Sequence, residues 1–191
     1  MSTVTPGTRP LRADARRNRD AILEAARAAF EEDGVLTPLD AVATRAGVGN
    51  ATLYRNFPTR DDLLAEVMQA DLGDALAEAD ELARTRPPRE ALTEWLVALA
   101  WQLRIWHDLP YCLANAHAGA DSPVTSTCNP LHLRLDAFLD AARASGDLHA
   151  DVDGAAVYEL VLAISWATDR FHDDRAAARR RVLLASAGLF G

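Results

Sequence analysis

Residues 37–64, TPLDAVATRAGVGNATLYRNFPTRDDLL, carry three helix starts and two sharp stops. Thr37 is placed to cap a helix at its N-terminus, Pro38 falls where a missing N–H costs nothing, and Asp40 stands at the third helical position. Leu39, Val42, Ala43 and Ala46 then follow helical spacing, and Gly47-Val48-Gly49 supplies the left-handed conformers of a tight reversal. A second short helix opens at Asn50, turns Leu53 and Phe57 inward, and is stopped by Pro58. Thr59 with Asp62 three residues on forms a capping box for a third helix through Leu63, Leu64 and Val67. The pattern predicts a helix-turn-helix.

On the second short helix, Asn50, Ala51, Tyr54 and Arg55 fall opposite Leu53, so an amide, a methyl, a phenol and a guanidinium share the solvent side. Such a face fits a DNA major groove, where amides pair with adenine, guanidinium with guanine, and hydroxyls reach phosphates. The alternative is an ordinary helical corner with a solvated polar face.

The run AVATRAGVGNATLYRNFPTRDDLL closely resembles the DNA-binding segment of the TetR family of bacterial transcriptional repressors. A small-residue helix, a Gly-Val turn, a Thr-Leu-Tyr run, an aromatic at Phe57 and a basic residue at Arg60 follow in that family's order. The likeness extends from about Arg16 to Met68, roughly a quarter of the chain. It implies phosphate contacts from Thr37, Thr52, Tyr54 and Arg60, and base contacts chosen among Asn50, Ala51, Arg55 and Asn56, with Leu53 and Phe57 as packing residues.

The chain has 191 residues, 49% of them hydrophobic, which exceeds what a three-helix unit needs and predicts a second helical domain. Apolar residues recur at helical spacing nearly throughout, so the expected class is all-α. The expected division is a flexible basic arm over 1–14, a helix-turn-helix domain over 15–60 and a ligand-binding and dimerisation domain over 61–191. Net charge is −8, but residues 1–60 hold nine Arg against seven acids, while 61–191 hold eleven against twenty-one. Residues 1–19 hold five Arg against Asp14 alone, and lysine is absent. Arg12, Arg16 and Arg17 are therefore the candidate phosphate contacts of the arm, against the alternative of a solvated tail.

No signal peptide or membrane-length apolar run is visible, and a cytoplasmic protein is expected. Cys112 and Cys128 lack the spacing of a zinc site or a disulfide framework. The five histidines, at 107, 117, 132, 149 and 172, never fall three or four apart. Hydrolase, nucleotide-binding and dinucleotide-binding motifs are absent too, so an enzyme, a cofactor or a metal is not expected.

Helices are expected over Ala15–Asp33, Thr59–Arg84, Pro88–His107, Leu109–Ala118 and Leu131–Ser145, one capped by Asp153, and a last over Asp174–Leu189. The stretch Gly119–Pro130 reads as loop. Pairing of the last two helices with their twins, through Val157, Leu160, Val161, Ile164, Leu183 and Ala185, would make a homodimer suited to palindromic DNA; the alternative is that they complete the monomer core. Trp95, Trp101, Trp106, Tyr111 and Trp166 either line an apolar pocket or are plain core. The resemblance implies a small-molecule inducer in such a cavity, whose binding weakens the hold on operator DNA. A helical interaction or scaffold protein is the rival reading.

Overall fold

The computed structural model describes residues 9–118, 122–149 and 152–190. The elements are α1 (Arg9–Asp33), α2 (Leu39–Arg45), α3 (Asn50–Asn56), α4 (Arg60–Thr85), α5 (Pro88–Gln102), α6 (Leu109–Ala118), α7 (Pro123–Ala144), α8 (Gly154–Arg170) and α9 (Arg175–Ser186). Among the described residues there is no strand; one isolated bridge pairs Leu148 with Phe190. No helix is long and apolar enough to cross a membrane.

Helices α1 to α3 close over Ile22, Ala26, Phe30, Val42, Leu53 and Phe57, each at most 1% exposed. Leu63 and Leu64 of α4 enter the same core, and Arg45 of α2 grips Glu32 of α1 through two hydrogen bonds of 2.6 and 2.7 Å. At the start of α4 the capping box forms as expected: Asp62 N–H donates to Thr59 Oγ1 at 3.1 Å, and Thr59 N–H to Asp62 Oδ2 at 2.9 Å. Helix α4 then runs 26 residues without a break and packs along α5 and α7. Helix α5 is central, touching α4, α7, α8 and α9, and residues 95–100 are buried all round, as a helix apolar on two faces requires.

Several expected boundaries differ, each for a tertiary reason. Helix α1 begins at Arg9, so residues 9–14 of the expected arm are helical, and residues 1–8 lie outside the described residues. Thr37 does not cap α2: its hydroxyl donates to the Gly34 carbonyl at 2.9 Å, and Pro38 stands at the cap position. Helix α5 stops at Gln102, five residues short of His107, because the following turn is held by long-range bonds described below. Residues 123–130 are helix, not loop. Ser122 caps α7 by accepting from Val124 N–H, Pro123 takes the first helical position, and Val124, Cys128, Leu131 and Leu135 bury one face. Pro130 within α7 removes the bond that would end on the Ser126 carbonyl, and Ser126 is exposed to water. Burial against α4 thus overrides the turn-forming composition.

Candidate nucleic-acid interface

Helix α3 has two turns and one inward residue, Leu53, which is fully buried; Phe57 follows it into the core. That anchor turns Asn50, Ala51, Tyr54 and Arg55 outward, all exposed, with Tyr54 at 45%. Neither the Tyr54 hydroxyl nor the Arg55 guanidinium has a partner among the described residues, so both are free to meet another molecule. Thr52 is half-buried at the edge of this face. Asn56 is turned back on its own helix, its amide donating to the Thr52 carbonyl at 2.8 Å. Arg16 lies exposed on α1.

Two of the residues expected at phosphates are used internally. Thr37 is only 8% exposed. Arg60 reaches back across the unit: its Nη1 donates to the Val35 carbonyl and, at 2.8 Å, to the Thr37 carbonyl. A guanidinium committed to two carbonyls fixes the loop between α1 and α2 against the start of α4. The resemblance implies a phosphate contact for Arg60, and neither it nor sequence spacing reveals a carbonyl partner 25 residues away.

The unit is tied to the rest of the chain by contacts that no local pattern announces. Arg27 of α1 forks onto Asp71 of α4 with two bonds of 3.1 Å, and also donates to the Val67 carbonyl at 3.0 Å. Val35 N–H donates to the carbonyl of His107 at 3.0 Å. The buried Asp169 of α8 accepts from Asp108 N–H at 3.2 Å and faces His107 Nδ1 at 3.1 Å. Ser122 Oγ donates to Asp61 in the first turn of α4 at 2.7 Å.

The five aromatic residues expected in one pocket are dispersed. Trp95 is fully buried against Phe138, ring centroids 5.7 Å apart, and belongs to the core. Trp106 lies at the junction, against Phe30 of α1 at 5.7 Å, with Arg27 over its ring. It also borders a crevice of about 50 Å³ against Met68, Leu72 and Ala75 of α4. Trp101 is half-buried under the Arg104 guanidinium, 4.2 Å from the ring centre. Only Tyr111 and Trp166 come together, in an open groove of about 540 Å³ between α6 and α8 that Pro110, Leu162 and Ala163 also line. Trp95, Trp101 and Trp106 are close in sequence, but Trp95 and Trp101 lie six residues apart on different sides of α5, and the break after Gln102 detaches Trp106 from both.

The apolar stripe of α8 also faces inward. Val157, Val161 and Ile164 are buried within the protomer, and Leu160 is half-buried. The outer side of α8 and α9 instead exposes Trp166 at 47%, Phe171 at 67%, Leu183 at 43% and Leu184 at 81%.

Comparison with known proteins adds to this geometry. Residues 22–67 match the family described as bacterial regulatory proteins, tetR family, and residues 87–190 match the C-terminal domain described as transcriptional regulator SbtR-like. An HTH-type transcriptional regulator of Staphylococcus aureus is 41% identical over 63 residues, 32% of this chain and 34% of that protein. The chain thus spans about a third of the length of the curated relatives it matches. Among solved structures, a TetR transcriptional regulator from Streptomyces coelicolor is 30% identical, covering 90% of this chain and 98% of that one, with a TM-score of 0.55. The transcriptional regulator FadR from Bacillus subtilis, solved in complex with stearoyl-CoA, shares the fold at 17% identity and a TM-score of 0.62, over 89% of this chain and 98% of that one.

Proposed function

The chain belongs to the TetR family of transcriptional regulators, which are not enzymes, and from that premise we propose that it is a ligand-responsive repressor that binds a palindromic operator as a homodimer. The observation that carries this reading is the unpartnered outer face of α3. Asn50, Ala51 and Arg55 are the proposed base-reading residues; Thr52, Tyr54 and Arg16 are the proposed phosphate contacts. Asn56 is a weaker candidate for a base, since its amide is already engaged, and Arg60 and Thr37 hold the loop that presents α3. DNA binding implies residence in the cytoplasm. The proposed division is an arm over 1–14, a DNA-binding domain over 15–60, and ligand binding and dimerisation over 61–191.

Two recognition helices must lie about 34 Å apart to enter successive major grooves, which is the spacing a two-fold pair of this chain would have to provide. The exposed Trp166, Phe171, Leu183 and Leu184 support pairing through α8 and α9, since four large apolar side chains left in water on two neighbouring helices are what a partner surface would cover. Release is proposed to run through α4. A helix of 26 residues is about 39 Å long at about 1.5 Å per residue, so a tilt of a few degrees moves its tip by about 1–2 Å. A small, largely apolar molecule widening the crevice between Trp106 and Met68, Leu72 and Ala75 would produce that tilt. The ligand need only prefer the mis-spaced state.

Selection of bound fragments from random DNA tests the reading. The expected product is a two-fold symmetric site whose half-sites lie about one helical turn apart. Recovery of no common sequence would refute sequence-specific binding, and an asymmetric single site would refute the dimer.

A further inference from the structure

The turn between α5 and α6 and the end of α8 bring three metal-type donors together. His107, Asp108 and Asp169 each offer one ligand atom, and these atoms lie within 4.8 Å of one another. Asp169 is 5% exposed, a carboxylate nearly withdrawn from water. With the imidazole proton on Nδ1, facing Asp169 at 3.1 Å, the unprotonated Nε2 lies 3.6 Å from Asp108 Oδ2. Two electron-rich atoms then face each other over a gap too long for a hydrogen bond. That gap is close to the edge of a tetrahedron around an ion with bonds near 2.1 Å, which is about 3.4 Å. Arg170 reaches Asp108 only at 4.0 Å and is half exposed, so it does little to neutralise two carboxylates.

The backbone is bent to make this arrangement. Asp108 at φ 61° and His172 at φ 52° are the two non-glycine residues with left-handed backbone among the described residues, and both stand here. The His172 ring stacks on that of His107 with centroids 6.4 Å apart, which brings a second imidazole to the rim.

We propose that His107, Asp108 and Asp169 form a binding site for one divalent transition-metal ion of the zinc type. One carboxylate flanks each imidazole nitrogen. Nε2 of His107 and Oδ2 of Asp108 supply the protein ligands, and Asp169 accepts the Nδ1–H, which fixes the ring. An imidazole with carboxylates suits zinc, whereas magnesium prefers oxygen ligands alone and copper(I) prefers sulfur. Water completes the coordination. The ion would stand on the segment whose His107 carbonyl holds Val35, so it would stiffen the junction between the helix-turn-helix unit and the helical body. Zinc binding itself does not rest on the DNA-binding reading.

The test is titration of zinc chloride into the metal-stripped full-length protein against a chromophoric chelator. One zinc per chain is expected, with affinity reduced at least about tenfold in Asp108→Asn and in His107→Gln. Asn tolerates a left-handed backbone, so Asp108→Asn should melt as the wild type does without metal. His149→Ala should bind as the wild type does. X-ray absorption at the zinc edge of the wild type should report nitrogen together with oxygen ligands, lost in Asp108→Asn. Absence of saturable binding, binding unchanged in a folded Asp108→Asn protein, or anomalous scattering that locates zinc at His117 and His132 would each overturn the assignment.

Discussion

Val35 donates its backbone N–H to the carbonyl of His107 at 3.0 Å, and through that bond the α1–α2 loop of the recognition unit rests on the α5–α6 turn of the helical body. Gly34 beside it has φ +85°, and a Cβ there would lie 2.9 Å from the same carbonyl. At this point the junction is backbone against backbone, and a side chain on residue 34 has no room.

Gly34→Ala is expected to cost more stability than Gly47→Ala, although both positions are left-handed. Gly47, at φ +68°, has open space around its missing Cβ, so alanine there pays only the conformational strain of about 1–2 kcal/mol. At Gly34 displacement of His107 adds to that strain. Urea unfolding of the two variants measures the difference, and equal losses would show that the junction yields freely.

Arg60→Ala should lower stability by about 1.5–3 kcal/mol, the range for hydrogen bonds made by a charged group, because the carbonyls of Val35 and Thr37 lose their donor. In the folded fraction the salt dependence of DNA binding should stay as in the wild type. Arg16→Ala should leave stability alone and reduce that slope by about one unit. Arg55→Ala should relax preference at one base pair of the selected site. Anisotropy titrations at several salt concentrations separate the three outcomes.

Leu184→Asp and Trp166→Asp should fold as monomers, because these side chains are exposed in the protomer and would carry an unpaired charge into the proposed dimer face. Val161→Asp should instead fail to fold, since Val161 is 2% exposed within the protomer. Sedimentation velocity at micromolar concentration reads the first result and circular dichroism the second. A wild-type monomer would end the proposal.

Acid should weaken the fold through His132. Burial, and then the neighbouring His117, hold its imidazole below the ordinary value, with Asp136 opposing. The unfolded chain therefore takes up a proton at higher pH than the folded one. The stability contributed is full above the ordinary histidine range and declines as pH falls through that range toward the folded value. His132→Gln should flatten the loss of unfolding free energy as pH falls from above the ordinary histidine range through it. An unchanged profile would assign the loss to other groups.

Cys128 is buried, which pushes its thiol up to about 12. Burial also raises Cys112, though it is only half-buried. Thiol titration of the native protein at pH 8 should therefore find Cys112 reacting first and slowly, and Cys128 only on unfolding. Rapid reaction of both would contradict the buried placement.

The three-helix unit was legible in the sequence because its signals are local. Pro58, the Thr59–Asp62 box and the Gly47-Val48-Gly49 turn each act within four residues, and the inward Leu53 fixes which side of α3 faces out. The same locality misled at Thr37, whose hydroxyl donates to the Gly34 carbonyl instead of capping α2, and it could not foresee the two carbonyls that Arg60 Nη1 meets. In the helical body, Pro130 and the polar residues before it read as loop until burial of Val124, Cys128 and Leu131 was counted.

What the amino-acid sequence determined by itself is the all-α class, the helix-turn-helix and the outward set Asn50, Ala51, Tyr54 and Arg55, since periodicity and capping are properties of neighbouring residues. Only the tertiary structure decided that Trp95, Trp101, Trp106 and Trp166 part company, that the α8 stripe faces its own protomer, and that His107 and Asp108 meet Asp169, 61 residues beyond Asp108. Contacts of that separation follow from how helices pack, and a pattern that repeats every three or four residues contains no information about which distant face it will meet.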